Sequence, residues 1–169
     1  MRKPIRHASV LVAAVLIATS LTGCGLGTQV PDTAKMRGVG NGVDVKSGDL
    51  LAQDVTVVTT GATVGISATV INKGAAASVT GVSVDGKPLT LVFNGTPAQL
   101  LPVVAGGATR LGFQSNESAI GAYAVPAGGY ADVVITFADG SILTANALVV
   151  NKSGMYADVV TELPAAPVA

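Results

Sequence analysis

From Leu50 onward the chain alternates short apolar runs with polar breaks marked by glycine. The runs are Leu50 to Thr59, Val64 to Asn72, Val79 to Val84, Leu89 to Phe93, Thr109 to Phe113, Tyr130 to Phe137 and Ile142 to Val150. They recur at intervals of roughly 8 to 15 residues, the spacing of strands in a sandwich or barrel. Alternation is clean in "ATVGISATVI": Val64, Ile66, Ala68 and Val70 share one face, and Gly65, Ser67 and Thr69 share the other. One face therefore belongs to a core and one to solvent. Three breaks, Asp85-Gly86, Asn94-Gly95 and Asp139-Gly140, pair an Asx residue with glycine between apolar stretches. Such dipeptides adopt the positive φ angles of tight hairpins, so antiparallel hairpins are expected there.

The start of the chain has a different pattern. An uncharged apolar run, Ala8 to Leu21, follows Arg2, Lys3 and Arg6. It is short for a membrane-spanning helix, which needs about 20 residues, and it has the shape of a secretory signal. The run ends in Leu21-Thr22-Gly23-Cys24, which holds the only cysteine of the chain. This tetrapeptide resembles the bacterial lipobox. The resemblance implies a diacylglycerol thioether on Cys24 and cleavage before it, and a thiolate is the natural nucleophile for that alkyl transfer. The alternative is a free or buried thiol, because one cysteine cannot form a disulfide within the chain. With two or more acyl chains on Cys24 the anchor is stable, so the expected location is the extracytoplasmic face of the cell membrane.

Four segments follow: residues 1–23 as lipoprotein signal peptide, 24–43 as lipidated cysteine and glycine-rich tether, 44–150 as one folded domain, and 151–169 as a C-terminal extension, partly disordered. Within the last, Asn151 to Leu163 reads either as a final edge strand or as a loose extension.

The chain has 10 basic and 10 acidic residues, and three of the basic ones lie in the leader, which leaves a net charge of −3 after cleavage. Mild acidity without a basic cluster excludes nucleic acid as a partner. Few aromatics, with abundant Val, Thr, Ala and Gly, favour strands over helices.

Catalytic chemistry is thinly represented. The single histidine, His7, lies in the leader, and with it goes the commonest general base and metal ligand. Ser83 lacks the flanking glycines of a nucleophile elbow, and no phosphate-loop pattern occurs. Asp44, Asp49 and Asp54 match neither a calcium loop nor an acid/base pair. Met36 and Met155 are thioethers of the kind that hold Cu(I), but they lie far apart with no neighbouring His or Cys. The chain reads as a non-enzyme with no cofactor and no metal site.

"SATVINKGAAASVTGVSVDG" (67–86), "LLPVVAGGATRL" (100–111) and "VPAGGYADVVITFADGSILTANALVV" (125–150) resemble, in order and spacing, the extracytoplasmic PCu(A)C copper chaperone family, and more closely its lipobox-bearing LpqE-type branch in actinobacteria. The resemblance implies an all-β fold, a single antiparallel Greek-key β-sandwich of the cupredoxin-like or immunoglobulin-like kind. It also implies His and Met ligands within the regions here occupied by Leu89–Val103 and Leu111–Tyr123. Neither region holds His, Met or Cys, so no ligand carries over. Fold and function separate at this point, because function resides in the site. The first region is strongly apolar. Its side chains either pack inside the sandwich or form an exposed patch, with Phe93, Leu100 and Leu101 as candidates for docking a partner. The expected function is a membrane-anchored envelope lipoprotein that binds another envelope protein or a small ligand. The alternative is a copper or other metal carrier with atypical ligands.

Overall fold

The computed structural model of the chain describes residues 42–163. The expected signal peptide, the acylation candidate Cys24, most of the expected tether and Met36 lie outside the described residues. So do residues 164–169 at the far end.

Twelve strands account for most of the described chain: β1 (Val43–Ser47), β2 (Leu50–Thr59), β3 (Val64–Asn72), β4 (Ala77–Val84), β5 (Lys87–Pro88), β6 (Thr90–Phe93), β7 (Thr96–Pro97), β8 (Leu101–Val103), β9 (Ala108–Leu111), β10 (Glu117–Gly121), β11 (Tyr130–Phe137) and β12 (Ile142–Asn151). One 3-10 turn follows at Gly154–Tyr156. The apolar runs β2, β3 and β11 begin and end where the pattern of side chains places them. β8 and β10 do not stand out in that pattern, since one is a three-residue strand around Pro102 and the other opens on Glu117.

Two packed sheets result. In the first, β2 pairs with β1 and β3, β3 with β9 and β10, and β10 with β6, all antiparallel. In the second, β11 lies between β4 and β12, and β4 also pairs with β5 and β8. Strand β12 joins the two. Its first seven residues pair antiparallel with β11, and its last three, Val149 to Asn151, run parallel to β2. The expected antiparallel Greek-key sandwich is thus present with one parallel seam, where β12 crosses from sheet to sheet.

The alternation of β3 fixes its facing. Val64, Ile66, Ala68 and Val70 enter the core, against Val79, Val82 and Val84 of β4, Val133, Ile135 and Phe137 of β11, and Leu143, Ala145 and Ala147 of β12. Hydrophobic burial of branched side chains dominates this interior, at about 25 cal/mol per Å² removed from water. At two of the three Asx-Gly dipeptides the expected turn forms, with Asp85 and Asn94 at φ of 50° followed by Gly86 and Gly95 at 74° and 75°, whereas at Asp139-Gly140 only the glycine, at 84°, has positive φ. Both residues of such a turn have positive φ, and glycine is the residue that accepts this without strain.

The segment after Asn151 is neither a final edge strand nor loose. It crosses the outer face of the first sheet as a strap, with Val159 and Thr161 wholly buried. Val159 bridges Phe113, and the Val160 N–H donates to the Gly112 carbonyl at 3.2 Å. The small outward residue Gly65 leaves the space the strap occupies. The boundary expected at Val150 therefore moves outward, because the packed unit includes the strap.

Candidate functional site

The two regions in which the family resemblance places ligands are brought together by β6 and β10. Their register sets Glu117 opposite Phe93, Ser118 opposite Val92 and Ala119 opposite Leu91. Leu91 and Ala119 face the core. Val92 and Ser118 face outward, where a cavity of about 250 Å³ is lined by Val92, Ser115, Asn116, Ser118 and, from the strap, Val160 and Glu162. The loop between β9 and β10 is pinned by Ser115. Its hydroxyl lies 2.6 Å from both the Arg110 carbonyl oxygen and Glu117 Oε2 and accepts the Glu117 N–H at 3.0 Å.

The candidate patch divides. Phe93 and Leu100 are exposed, at 36% and 49%, with Val104 at 61% on the same stretch. Leu101 is fully buried, and the patch loses it. As the first residue of β8, opposite Val79 of β4, it faces the core, and Val103 two positions on does the same. Period-two alternation resumes at β8, so only one of two adjacent leucines can reach solvent.

Two further cavities lie elsewhere. One of about 580 Å³ is bounded by the β1–β2 turn, the β3–β4 loop and the β11–β12 hairpin, and includes Asp49, Asn72, Ser78, Asp139 and Ser141. Asp139 is already engaged: its Oδ1 accepts the Ser141 N–H at 2.9 Å and the Ser141 hydroxyl at 2.6 Å, which holds its carboxyl below the ordinary carboxylate value. The other cavity, of about 340 Å³, lies on the outer face of the first sheet and is lined by Asp54, Ser67, Thr69, Arg110, Phe113 and Gln114. Nothing in the linear pattern joins these residues.

Several other polar groups are engaged in holding the fold. Asp85 Oδ1 accepts the Asp132 N–H at 2.9 Å, and Asn146 Nδ2 donates to Asp132 Oδ1 at 2.8 Å. Tyr123 donates to the Lys87 carbonyl at 3.1 Å, and the Lys87 ammonium lies 5.1 Å from its ring centroid. Burial, with the charge of Asp85 adding to it, raises the Tyr123 phenol above its usual value. Asp44 Oδ1 accepts the Asp54 N–H at 3.0 Å, which secures β1 to the bulge of β2. Among the described residues no three of His, Cys, Asp and Glu gather in a way that could hold a metal ion. Met155 is 66% exposed on the strap.

Compared with solved structures, the chain is similar to the copper-bound PCuAC domain from PmoF2, with a TM-score of 0.56 and 12% identity over 64% of this chain and 98% of that domain. It is also similar to the apo PmoF2 PCuAC domain, with a TM-score of 0.57 and 11% identity over 68% and 99%. The chain has the PCuAC fold. At these identities the likeness is one of fold, and it spans nearly the whole of those domains and about two thirds of this chain. No protein-family model matches the chain, and no curated protein does.

Proposed function

We propose that this chain is a non-enzymatic envelope lipoprotein, held at the extracytoplasmic face of the membrane through Cys24, whose PCuAC-type sandwich serves as a binding module for an envelope protein or a small ligand. One observation carries the reading. The two regions that the resemblance marks as ligand-bearing, residues 89–103 and 111–123, are brought together by the paired strands β6 and β10, and they supply Leu, Val, Phe, Ser, Asn and Gln in place of imidazole, thioether or thiolate. Amide and hydroxyl oxygens are poor partners for a soft cation. The copper-bound neighbour shows that the scaffold can hold that metal; the side chains here suit other cargo. With His7 in the leader, no imidazole remains in the mature chain to act as a base, which favours binding over catalysis.

The anchor is tested by metabolic labelling with a clickable fatty acid. The wild type takes up label and stays with the membrane fraction, and Cys24→Ala loses both. A labelled Cys24→Ala protein contradicts the anchor.

A further inference from the structure

The cavity of about 340 Å³ on the outer face of the first sheet is a trough across three strands. Register places Gln53 opposite Thr69, and Thr69 opposite Arg110. Neighbouring strands lie about 4.8 Å apart, so the Gln53–Asp54 stretch and Arg110 stand roughly 10 Å from each other across β3. Between them β3 contributes only the short hydroxyl side chains of Ser67 and Thr69 as a floor. Ala68, Phe113 and Gln114 complete the lining.

The two charged groups that flank this floor have opposite sign and do not pair. Among the described residues Asp54 is bonded only through its backbone, to Asp44 and Thr56, and Arg110 only through its carbonyl and strand hydrogen bonds. The backbone is also unusual here. Among the described residues four other than glycine have positive φ, and two of them, Asp85 and Asn94, are explained by the hairpins they open. The other two, Asp54 at 53° and Gln114 at 47°, both line the trough. Asp54 sits in the bulge of β2 between Gln53 and Thr56. A bulge re-aims a side chain, and residues held in such conformations concentrate at binding sites.

We propose that this trough binds a small zwitterion of the α-amino-acid class, with its carboxylate on Arg110, its ammonium on Asp54 and its side chain towards Phe113. A lone anion would meet the Asp54 carboxylate and a lone cation the Arg110 guanidinium, whereas a zwitterion satisfies both. Arginine suits the acidic end because its planar fork matches a carboxylate with two parallel hydrogen bonds. The volume falls in the lower part of the range of small-ligand sites. The assignment stands whether or not Cys24 is acylated, and although Phe113 and Gln114 fall within residues 111–123, neither β6 nor β10 lines the trough.

The test uses the full chain, with L-alanine and L-phenylalanine as probes, isothermal titration for affinity and amide NMR shifts for location. Saturable binding of at least one of the two is expected, with shifts at Ser67, Thr69 and Gln114. Both the N-acetyl derivative, which lacks the cation, and the methyl ester, which lacks the anion, should bind about tenfold more weakly or worse. Arg110→Gln and Asp54→Asn should each weaken binding by a similar factor. Both side chains are exposed, so the thermal midpoints of these variants should match the wild type. Absence of saturable binding by either amino acid overturns the proposal. So does binding that tolerates either variant, and so do derivatives that bind as well as the parent. The derivative series decides the matter even if a variant proves unstable.

Discussion

Gly65 lies directly beneath the strap: a Cβ added there would stand 2.5 Å from the carbonyl oxygen of Val160 and 3.3 Å from the Thr161 methyl. The absence of a side chain on the outer face of β3 is what lets residues 159–161 approach the sheet. Gly65→Val should lift the strap and destabilise the domain by about 1–3 kcal/mol, the usual range for forcing atoms into a packed contact. Hydrogen exchange should show residues 157–163 losing protection ahead of the strands. An unchanged unfolding midpoint with a protected strap contradicts this.

Thr161 presents the opposite situation. Its side chain is wholly buried, and its Oγ1 has no hydrogen-bond partner. A buried hydroxyl without a partner is costly, while a methyl group of the same shape is at home there. Thr161→Val is therefore expected to stabilise the domain by about 1 kcal/mol, read as a raised midpoint in chemical denaturation. A lowered midpoint would mean that the hydroxyl has a partner.

The two adjacent leucines make a sharp contrast. Leu101 is fully buried in the core, and Leu100 is about half exposed. Leu101→Ala should cost about 2–5 kcal/mol through lost burial and the cavity it leaves. Leu100→Ala should stay within about 0.5 kcal/mol. Equal losses at both positions would refute the facing assigned to β8.

What the linear pattern reveals is what local physics decides. The hairpins at Asp85 and Asn94 need only the φ preference of two adjacent residues, and the inward face of β3 needs only alternation, so both are visible from the residues alone. The strap is not, because its burial depends on Gly65, about 95 positions earlier, being small and facing outward. The Asp54–Arg110 trough is hidden for the same reason: it exists only once β2, β3 and β9 are aligned and the bulge at Asp54 is formed. Adjacent Leu100 and Leu101 could not be separated because a three-residue strand around a proline has too little pattern to fix its phase. Composition was more informative about chemistry. The absence of His, Met and Cys from residues 89–103 and 111–123 can be read directly, and the structure adds that β6 and β10, which lie within those regions, are direct neighbours.

The central claim is that a PCuAC-type scaffold here serves binding other than that of copper, and Cu(I) affinity tests it most directly. Residues 24–169 carrying Cys24→Ala, which leaves out His7 and the thiol, should be titrated against a chromogenic Cu(I) chelator, alongside the same chain with Met36→Leu and Met155→Leu. The account predicts that neither protein withdraws Cu(I) from the chelator, because residues 24–169 with Cys24→Ala offer no imidazole, no thiolate and only two separated thioethers, Met155 being largely exposed. Stoichiometric, tight binding contradicts it: if abolished in the double variant it assigns the metal to the methionines, and if retained it assigns it to oxygen or nitrogen ligands of the sandwich itself.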